Sequence, residues 1–280
     1  MSGTERPGPP LAAVIGWPIR HSRSPRIHGH WLARYGLPGH YVPVAVAPDR
    51  LAAGLGALAE LGFAGCNVTL PHKEAVLALA ARVTPTAEAI GAANALTFLP
   101  GGGFEADNTD AHGFITSLRA GAPGWHGLAG PALVLGAGGA ARAILAGLLA
   151  VDVPEVRLAN RTEARARALA DHFGPRVRVV PWAGAAEAAA GAALVVNTTA
   201  LGMTGQAPLE LSLAAAPATA VVMDIVYQPL ETPLLAEARA RGLTAVDGFG
   251  MLLHQAVPAF ERWFGRRPEV DAALRAAALA

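Results

Sequence analysis

Six residues, Gly136-Ala137-Gly138-Gly139-Ala140-Ala141, follow directly on the apolar run Ala132-Leu133-Val134-Leu135 and open an Ala/Leu-rich stretch. Strand, then G-x-G-x-x-A, then helix is the grammar of a backbone that receives a pyrophosphate. Gly136 permits the tight turn, Gly138 lets the diphosphate approach the chain, and Ala141 lets helix and strand pack closely. The helix N-terminus adds free N–H groups and the positive end of its dipole. In a chain with 32 glycines the motif alone is weak, and its flanks carry the reading. The end of the next strand is where such a site meets the adenosine ribose, and an acid there takes the 2′-OH of NAD. Here the residues are Asn160-Arg161-Thr162-Glu163-Ala164-Arg165, with Arg161 and Arg165 on one helical face. Two guanidiniums suit a 2′-phosphate and point to NADP rather than NAD. The plain alternative is a surface arginine pair at a helix start, and Glu163 works against the NADP preference.

A second group of candidates precedes this motif. Ser22 and Ser24, in the run Gly16-Trp17-Pro18-Ile19-Arg20-His21-Ser22-Arg23-Ser24-Pro25, place two hydroxyls beside a helix start, a donor set suited to a carboxylate. Ser24 before Pro25 also has the pattern of a simple helix cap, with Ser22 stabilising a turn. Lys73, in Asn67-Val68-Thr69-Leu70-Pro71-His72-Lys73, is a potential cationic proton donor or an ordinary solvated helix residue. Asn94, Asp107 and Asp110 add an amide and two carboxylates at segment ends, where Asp110 could cap the following helix and Asp107 a turn.

These groups need a scaffold, and the sequence supplies repeated βα units. Strands are expected at residues 11–15, 40–46 and 65–69, with helices at 25–35, 49–61 and 72–81. Thr84-Pro85 starts another helix. Residues 93–99 and 104–107 read as a hairpin about Gly101-Gly102-Gly103. Six more strands, at 132–135, 155–159, 177–181, 194–197, 221–224 and 244–247, complete the count for a dinucleotide-binding sheet. Final helices are expected at 251–264 and 268–279. The expected fold class is α/β, with two domains and an active-site cleft between them. Residues 1–115, completed by helices at 249–280, bind substrate, and residues 116–248 form a Rossmann-type domain.

Composition narrows the classes further. The chain has 280 residues, 52% hydrophobic and 15% charged, with net charge +1, which offers no field for nucleic acid or an anionic membrane. Apolar runs stop short of the ~18 residues of a membrane span. Residues 1–10 read as a short flexible tail without a signal core. The single cysteine, Cys66, excludes an intrachain disulfide and fits a reducing cytoplasm. The nine histidines show no metal-ligand spacing, so no metal is expected.

The set HSRSP, NVTLPHK, GAANAL and DNTD, followed by GAGGAA and NRT, resembles the shikimate dehydrogenase family in order and spacing. The resemblance continues through Asn197-Thr198-Thr199 and Tyr227-Gln228-Pro229, and on to Asp247-Gly248-Phe249-Gly250-Met251-Leu252-Leu253-His254-Gln255-Ala256. It implies that Ser22 and Ser24 hold a substrate carboxylate, with Tyr227 nearby. It implies that Thr69, Asn94 and Gln255 line the pocket and bind substrate hydroxyls, and that Lys73 and Asp110 are the catalytic pair. Gly136, Ala137, Gly138, Gly139, Ala140 and Ala141 match the diphosphate loop. Asn160, Arg161, Thr162 and Arg165 match the 2′-phosphate site, while Thr198, Gly248 and Met251 fall at cofactor positions, the last two at the nicotinamide end. His72 and His254 are the departures worth noting, and neither belongs to the catalytic set.

The expected reaction is reversible reduction of 3-dehydroshikimate to shikimate by NADPH, in aromatic amino acid (chorismate) biosynthesis. Lys73 would protonate the nascent alkoxide and Asp110 would orient it. Alternatives are a relative that prefers quinate or uses NAD, a non-catalytic ligand-binding paralogue, and another two-domain dehydrogenase. Serine at both Ser22 and Ser24 favours shikimate, and intact Lys73 and Asp110 disfavour a non-catalytic role. The expected partner is a small molecule, with no nucleic acid or membrane, for a monomer or homodimer.

Overall fold

The computed structural model describes residues 8–280, so residues 1–7 of the expected flexible tail lie outside the described residues. The chain divides into two compact units, one running up to Thr109 and taking in Gln255–Ala280, the other Asp110–His254. The expected boundaries were 115/116 and 248/249. Phe114 and Ile115, and from the other end Met251, instead belong to the apolar core of the second unit.

The first unit contains β1 (Leu11–Gly16), α1 (Ser24–Tyr35), β2 (His40–Ala45), α2 (Leu51–Glu60), β3 (Gly65–Val68), β4 (Arg82–Val83), α3 (Pro85–Ile90), β5 (Ala95–Phe98) and β6 (Phe104–Asp107). Its sheet runs β2-β1-β3-β5-β6-β4. β1 is parallel to β2 and β3, whereas β5 is antiparallel to β3 and β6, the expected hairpin. Ala13, Ile15, Cys66, Val68 and Leu96 pack on one face against Leu51, Leu55 and Leu58 of α2. Burial pushes the Cys66 thiol well up, as for a small apolar side chain.

A helix at 72–81 does not form. Only a single 3₁₀ turn, Ala75–Leu79, is present, and Ala80 turns extended at ψ 136°. The chain then pairs Arg82 with Glu105 as β4, a strand not anticipated. Pro85 explains part of this, because it holds Thr84 extended (ψ 152°) and so ends any helix before it. Thr84 then caps α3, accepting the Ala87 N–H at 3.2 Å.

The second unit contains α4 (Asp110–Gly121), β7 (Ala132–Leu135), α5 (Gly139–Ala150), β8 (Val156–Ala159), α6 (Glu163–Phe173), β9 (Val177–Val180), β10 (Leu194–Asn197), β11 (Val221–Asp224), α7 (Pro233–Ala240) and β12 (Thr244–Val246). α8 (Phe249–Phe264) starts here and ends in the first unit, which also holds α9 (Ala272–Leu279). α9 starts later than the expected 268, at its cap Asp271. All six strands pair in parallel in the order β12-β11-β10-β7-β8-β9, the doubly wound dinucleotide-binding order. Alternate residues of β7 enter opposite cores: Val134 packs with Ile144 and Leu148 of α5, Leu133 and Leu135 with Leu234 and Leu235 of α7. Among the described residues, no helix is long and apolar enough to cross a membrane.

Candidate active site

In the first unit the site begins where β1 and β3 end side by side. The Thr69 N–H donates to the Ile15 carbonyl at 2.9 Å and the Trp17 N–H to the Leu70 carbonyl at 3.0 Å. Gly16 makes this approach possible, since a Cβ there would stand 2.5 Å from the Thr69 methyl. The loop after β1 carries Ser22 and Ser24, and the Ser24 N–H donates to Ser22 Oγ at 3.3 Å. Ser24 is not the helix cap that its sequence context allows. Arg23 holds the N-cap position, with no side-chain cap bond, and Ser24 is the first helical residue and buried. Pro25 fills the second position, where a missing N–H costs nothing.

Lys73 follows β3, half-buried, and its carbonyl accepts the Ala93 N–H at 2.8 Å, which ties it to the residue before Asn94. The preceding His72 is buried, and its Nε2–H donates to the Val46 carbonyl at 2.8 Å. Asn94 is buried at the start of β5. Its Nδ2 lies 3.0 Å from Thr109 Oγ1 and 3.1 Å from Gln255 Oε1, and its Oδ1 accepts the Thr109 N–H at 2.7 Å. Asn94 and Gln255, two anticipated pocket residues, are thus joined directly. Asp107 has a structural role: its Oδ1 accepts from the Thr84 hydroxyl at 2.7 Å and the Asn108 N–H at 2.8 Å, and Arg262 pairs with its other oxygen.

Two residues quoted in the motifs but given no role hold this arrangement. Thr109 anchors Asn94, and Asn67 bridges the Tyr41 hydroxyl (2.7 Å) to the Asn94 carbonyl (3.0 Å). Asn67 offered one signal, a polar residue within the otherwise apolar run of β3, which must find partners.

In the second unit, β7 turns at Gly136, which has φ +106° and whose added Cβ would lie 2.6 Å from Thr198 Oγ1. The Thr198 hydroxyl donates to the Leu135 carbonyl at 2.7 Å, locking the end of β10 to the end of β7. Gly138 is the N-cap of α5, exposed, with open space around its Cα, while Ala141 is fully buried. This is a cradle a diphosphate fits: free helix N–H groups at a strand-order switch point, with no side chain in the way. Ala137, Gly139 and Ala140 are half-buried around it. At the end of β8, Asn160 Nδ2 donates to the Thr162 carbonyl at 2.8 Å, and Arg161, Thr162 and Arg165 are exposed. Glu163 is engaged by Arg167, whose Nε donates to it at 2.8 Å, so its charge is met along the helix. That leaves the Arg161 and Arg165 guanidiniums as a donor set suited to a phosphate dianion.

The loops after β10 and β11 are built on Asn197 and Asp224. Asn197 Nδ2 donates to Asp224 Oδ1 at 3.0 Å, which also accepts the Val226 N–H at 3.0 Å, while Thr232 donates to Oδ2 at 2.7 Å. Burial raises the Asp224 pKa from its ordinary value, opposed by these three hydrogen bonds. The segment they fix carries Tyr227, half-buried, with its ring 5.9 Å from that of Phe249. Asp110 is buried at the start of α4, Gly248 packs against the Ile225 backbone, and Met251 lies in the apolar core. Among the described residues, no group of three or more His, Cys, Asp or Glu could hold a metal.

Fold and site together define a two-unit α/β protein of the dinucleotide-binding class, with a separate cluster of buried polar side chains, Asn94, Thr109 and Gln255, in the unit formed by both chain ends. Comparison with known proteins narrows this. Residues 14–96 match the shikimate dehydrogenase substrate binding domain, residues 129–225 the shikimate / quinate 5-dehydrogenase family, and residues 248–278 the shikimate 5'-dehydrogenase C-terminal domain. The shikimate dehydrogenase (NADP(+)) of Paracoccus denitrificans (strain Pd 1222) is 58% identical over 97% of this chain and 96% of its own. The shikimate 5-dehydrogenase of Thermus thermophilus, solved in complex with NADP(H) and shikimate, is 40% identical with a TM-score of 0.86, covering 96% of this chain and 98% of that one. Quinate dehydrogenase from Corynebacterium glutamicum, solved with NAD, is 32% identical with a TM-score of 0.89, covering 97% and 99%. The chain belongs to the shikimate dehydrogenase family.

Proposed function

We propose that this chain is an NADP-dependent oxidoreductase acting on a CH–OH group, which interconverts shikimate and 3-dehydroshikimate. The reading is carried by the near end-to-end likeness to the Paracoccus denitrificans protein, named an NADP(+)-dependent shikimate dehydrogenase. Gly136 to Ala141 and the α5 N-terminus receive the diphosphate, Arg161 and Arg165 with Asn160 and Thr162 the 2′-phosphate, and Thr198, Gly248 and Met251 complete the cofactor site. NADPH, when bound, supplies the hydride. Ser22 and Ser24 bind the substrate carboxylate with Tyr227, and Thr69, Asn94 and Gln255 take its hydroxyls. Lys73 gives a proton to the substrate oxygen as negative charge gathers there, and takes it back in the reverse direction. Asp110 is the second member of the proposed catalytic pair. A reducing, cytoplasmic setting suits the single buried Cys66.

A steady-state assay with shikimate and quinate, each with NADP⁺ and NAD⁺, tests this reading. Shikimate with NADP⁺ is expected to give the highest kcat/KM, and Arg161→Ala to reduce the NADP⁺/NAD⁺ preference by about tenfold or more, one lost phosphate contact being worth about 1.4 kcal/mol. Equal use of quinate, or a cofactor preference that ignores Arg161, would move the chain to the quinate and NAD side of the family.

A further inference from the structure

Arg23 stands between the two serines assigned to the substrate carboxylate, where a cation would be expected to meet the anion. Its side chain goes elsewhere. Nη1 donates to the carbonyls of Ala278 (2.8 Å) and Leu279 (3.0 Å), the last turn of α9. Those carbonyls have no partner within their own helix, and a guanidinium there also meets the negative end of the helix dipole. The other end of α9 is held by α1 as well. Its cap, Asp271, accepts the Leu274 N–H at 2.9 Å and pairs with Arg34, near the C-terminus of α1. The lead-in is fastened too: the Glu269 carbonyl accepts from Trp31 Nε1 at 2.9 Å, and the Glu269 N–H donates to the Tyr35 hydroxyl at 3.0 Å. α9 therefore runs antiparallel along α1 with an arginine–backbone clasp at one end and an arginine–carboxylate clasp at the other.

We propose that Arg23 is a positioning residue for the substrate carboxylate, and that the C-terminal helix acts through it on recognition at Ser22 and Ser24. The inference rests on the assignment of those serines to the carboxylate. Arg23 is the N-cap of α1, with φ −87° and ψ −6°, and its two dihedrals decide how the flanking serines face one another. Its carbonyl accepts the Arg26 N–H (3.0 Å) and the Ile27 N–H (3.2 Å), so the backbone is held from the helix side. The clasp to α9 holds it from the side-chain side. It also withholds the guanidinium from the anion, which leaves recognition to neutral donors. Two consequences separate this role from direct charge attraction: loss of Arg23 should act on substrate KM independently of salt, and it should not add to a lesion that loosens α9.

The test measures KM for shikimate, KM for NADP⁺ and kcat at low and high ionic strength for Arg23→Ala, Arg23→Lys, Asp271→Ala and the Arg23→Ala/Asp271→Ala pair. Arg23→Ala is expected to raise shikimate KM about tenfold at both salt concentrations, with kcat and NADP⁺ KM within about twofold of wild type. Arg23→Lys should restore part of the loss, and the double variant should be no worse than Arg23→Ala. A loss that fades with salt, or effects of Arg23→Ala and Asp271→Ala that multiply, would make Arg23 a direct attractor and overturn the proposal. An unchanged shikimate KM would overturn it too. Absence of shikimate turnover in the wild-type enzyme would instead sink the functional reading itself.

Discussion

Glycines 136 and 138 do different things, and substitution separates them. An alanine at Gly136 needs an unfavourable φ and collides with Thr198 Oγ1, so it is expected to lower Tm as well as NADP⁺ affinity. Gly138, at φ −99° and ψ −172° with open space around it, accepts an alanine without strain. Gly138→Ala should therefore leave Tm unchanged while raising the NADP⁺ Kd about tenfold, because its methyl stands where the proposed function places the diphosphate. Thermal melts with and without NADP⁺ read both effects, and an unchanged Kd for Gly138→Ala would remove the diphosphate from this turn. Both glycines were legible in the sequence, since strand, loop and helix occur in one short run. The roles of Thr109 and Asn67 were not, because each depends on hydrogen bonds to a residue brought close by the sheet.

Elements were legible where a local rule and a long-range partner agree. Strands β7 and β10 have the anticipated bounds, since each is a short apolar run buried on both faces of a parallel sheet. Residues 72–81 failed for the opposite reason. Their apolar spacing suits a helix, yet the His72 ring is bonded to the Val46 carbonyl just after β2 and Arg82 pairs with β6, which leaves room for one 3₁₀ turn. Thr84-Pro85 marked the next helix start correctly, and its capping bond is a measurable quantity. Thr84→Ala removes the acceptor for the Ala87 N–H and the donor to Asp107, and should cost about 1–2 kcal/mol in urea unfolding with an unchanged m-value. A loss below about 0.3 kcal/mol would mean that the cap contributes little to α3.

At the scale of the whole chain, alternating β and α segments were enough to expect two α/β sheets. The aromatic cluster beneath α1 was not, because it joins residues from opposite ends of the sequence. His28 stacks on Tyr41 with ring centroids 3.9 Å apart, beside Trp31, Phe260 and Trp263. Fully buried and without a hydrogen bond to either ring nitrogen, its imidazole is pushed down to about 3 by desolvation. The unfolded chain takes up this proton near pH 6.5 and the folded chain does not. Stability from His28 is therefore fully present above pH 6.5 and is lost as pH falls from there toward 3, by about 2 kcal/mol at pH 5. Half-buried His254, lowered first by burial and then by His112, acts in the same direction. Wild-type Tm should fall between pH 7 and 5 more steeply than that of His28→Leu, whose core position no longer titrates, whereas parallel slopes would place the acid sensitivity elsewhere.

The proposed chemistry turns on one side chain of the first unit carrying the proton that a reduced carbonyl must receive. The direct measurement is kcat for shikimate oxidation by Lys73→Ala, with folding verified by its melting curve. A fall of about 10²–10⁴-fold with a modest change in KM is the expected result. A folded variant that turns over at close to the wild-type rate would contradict it.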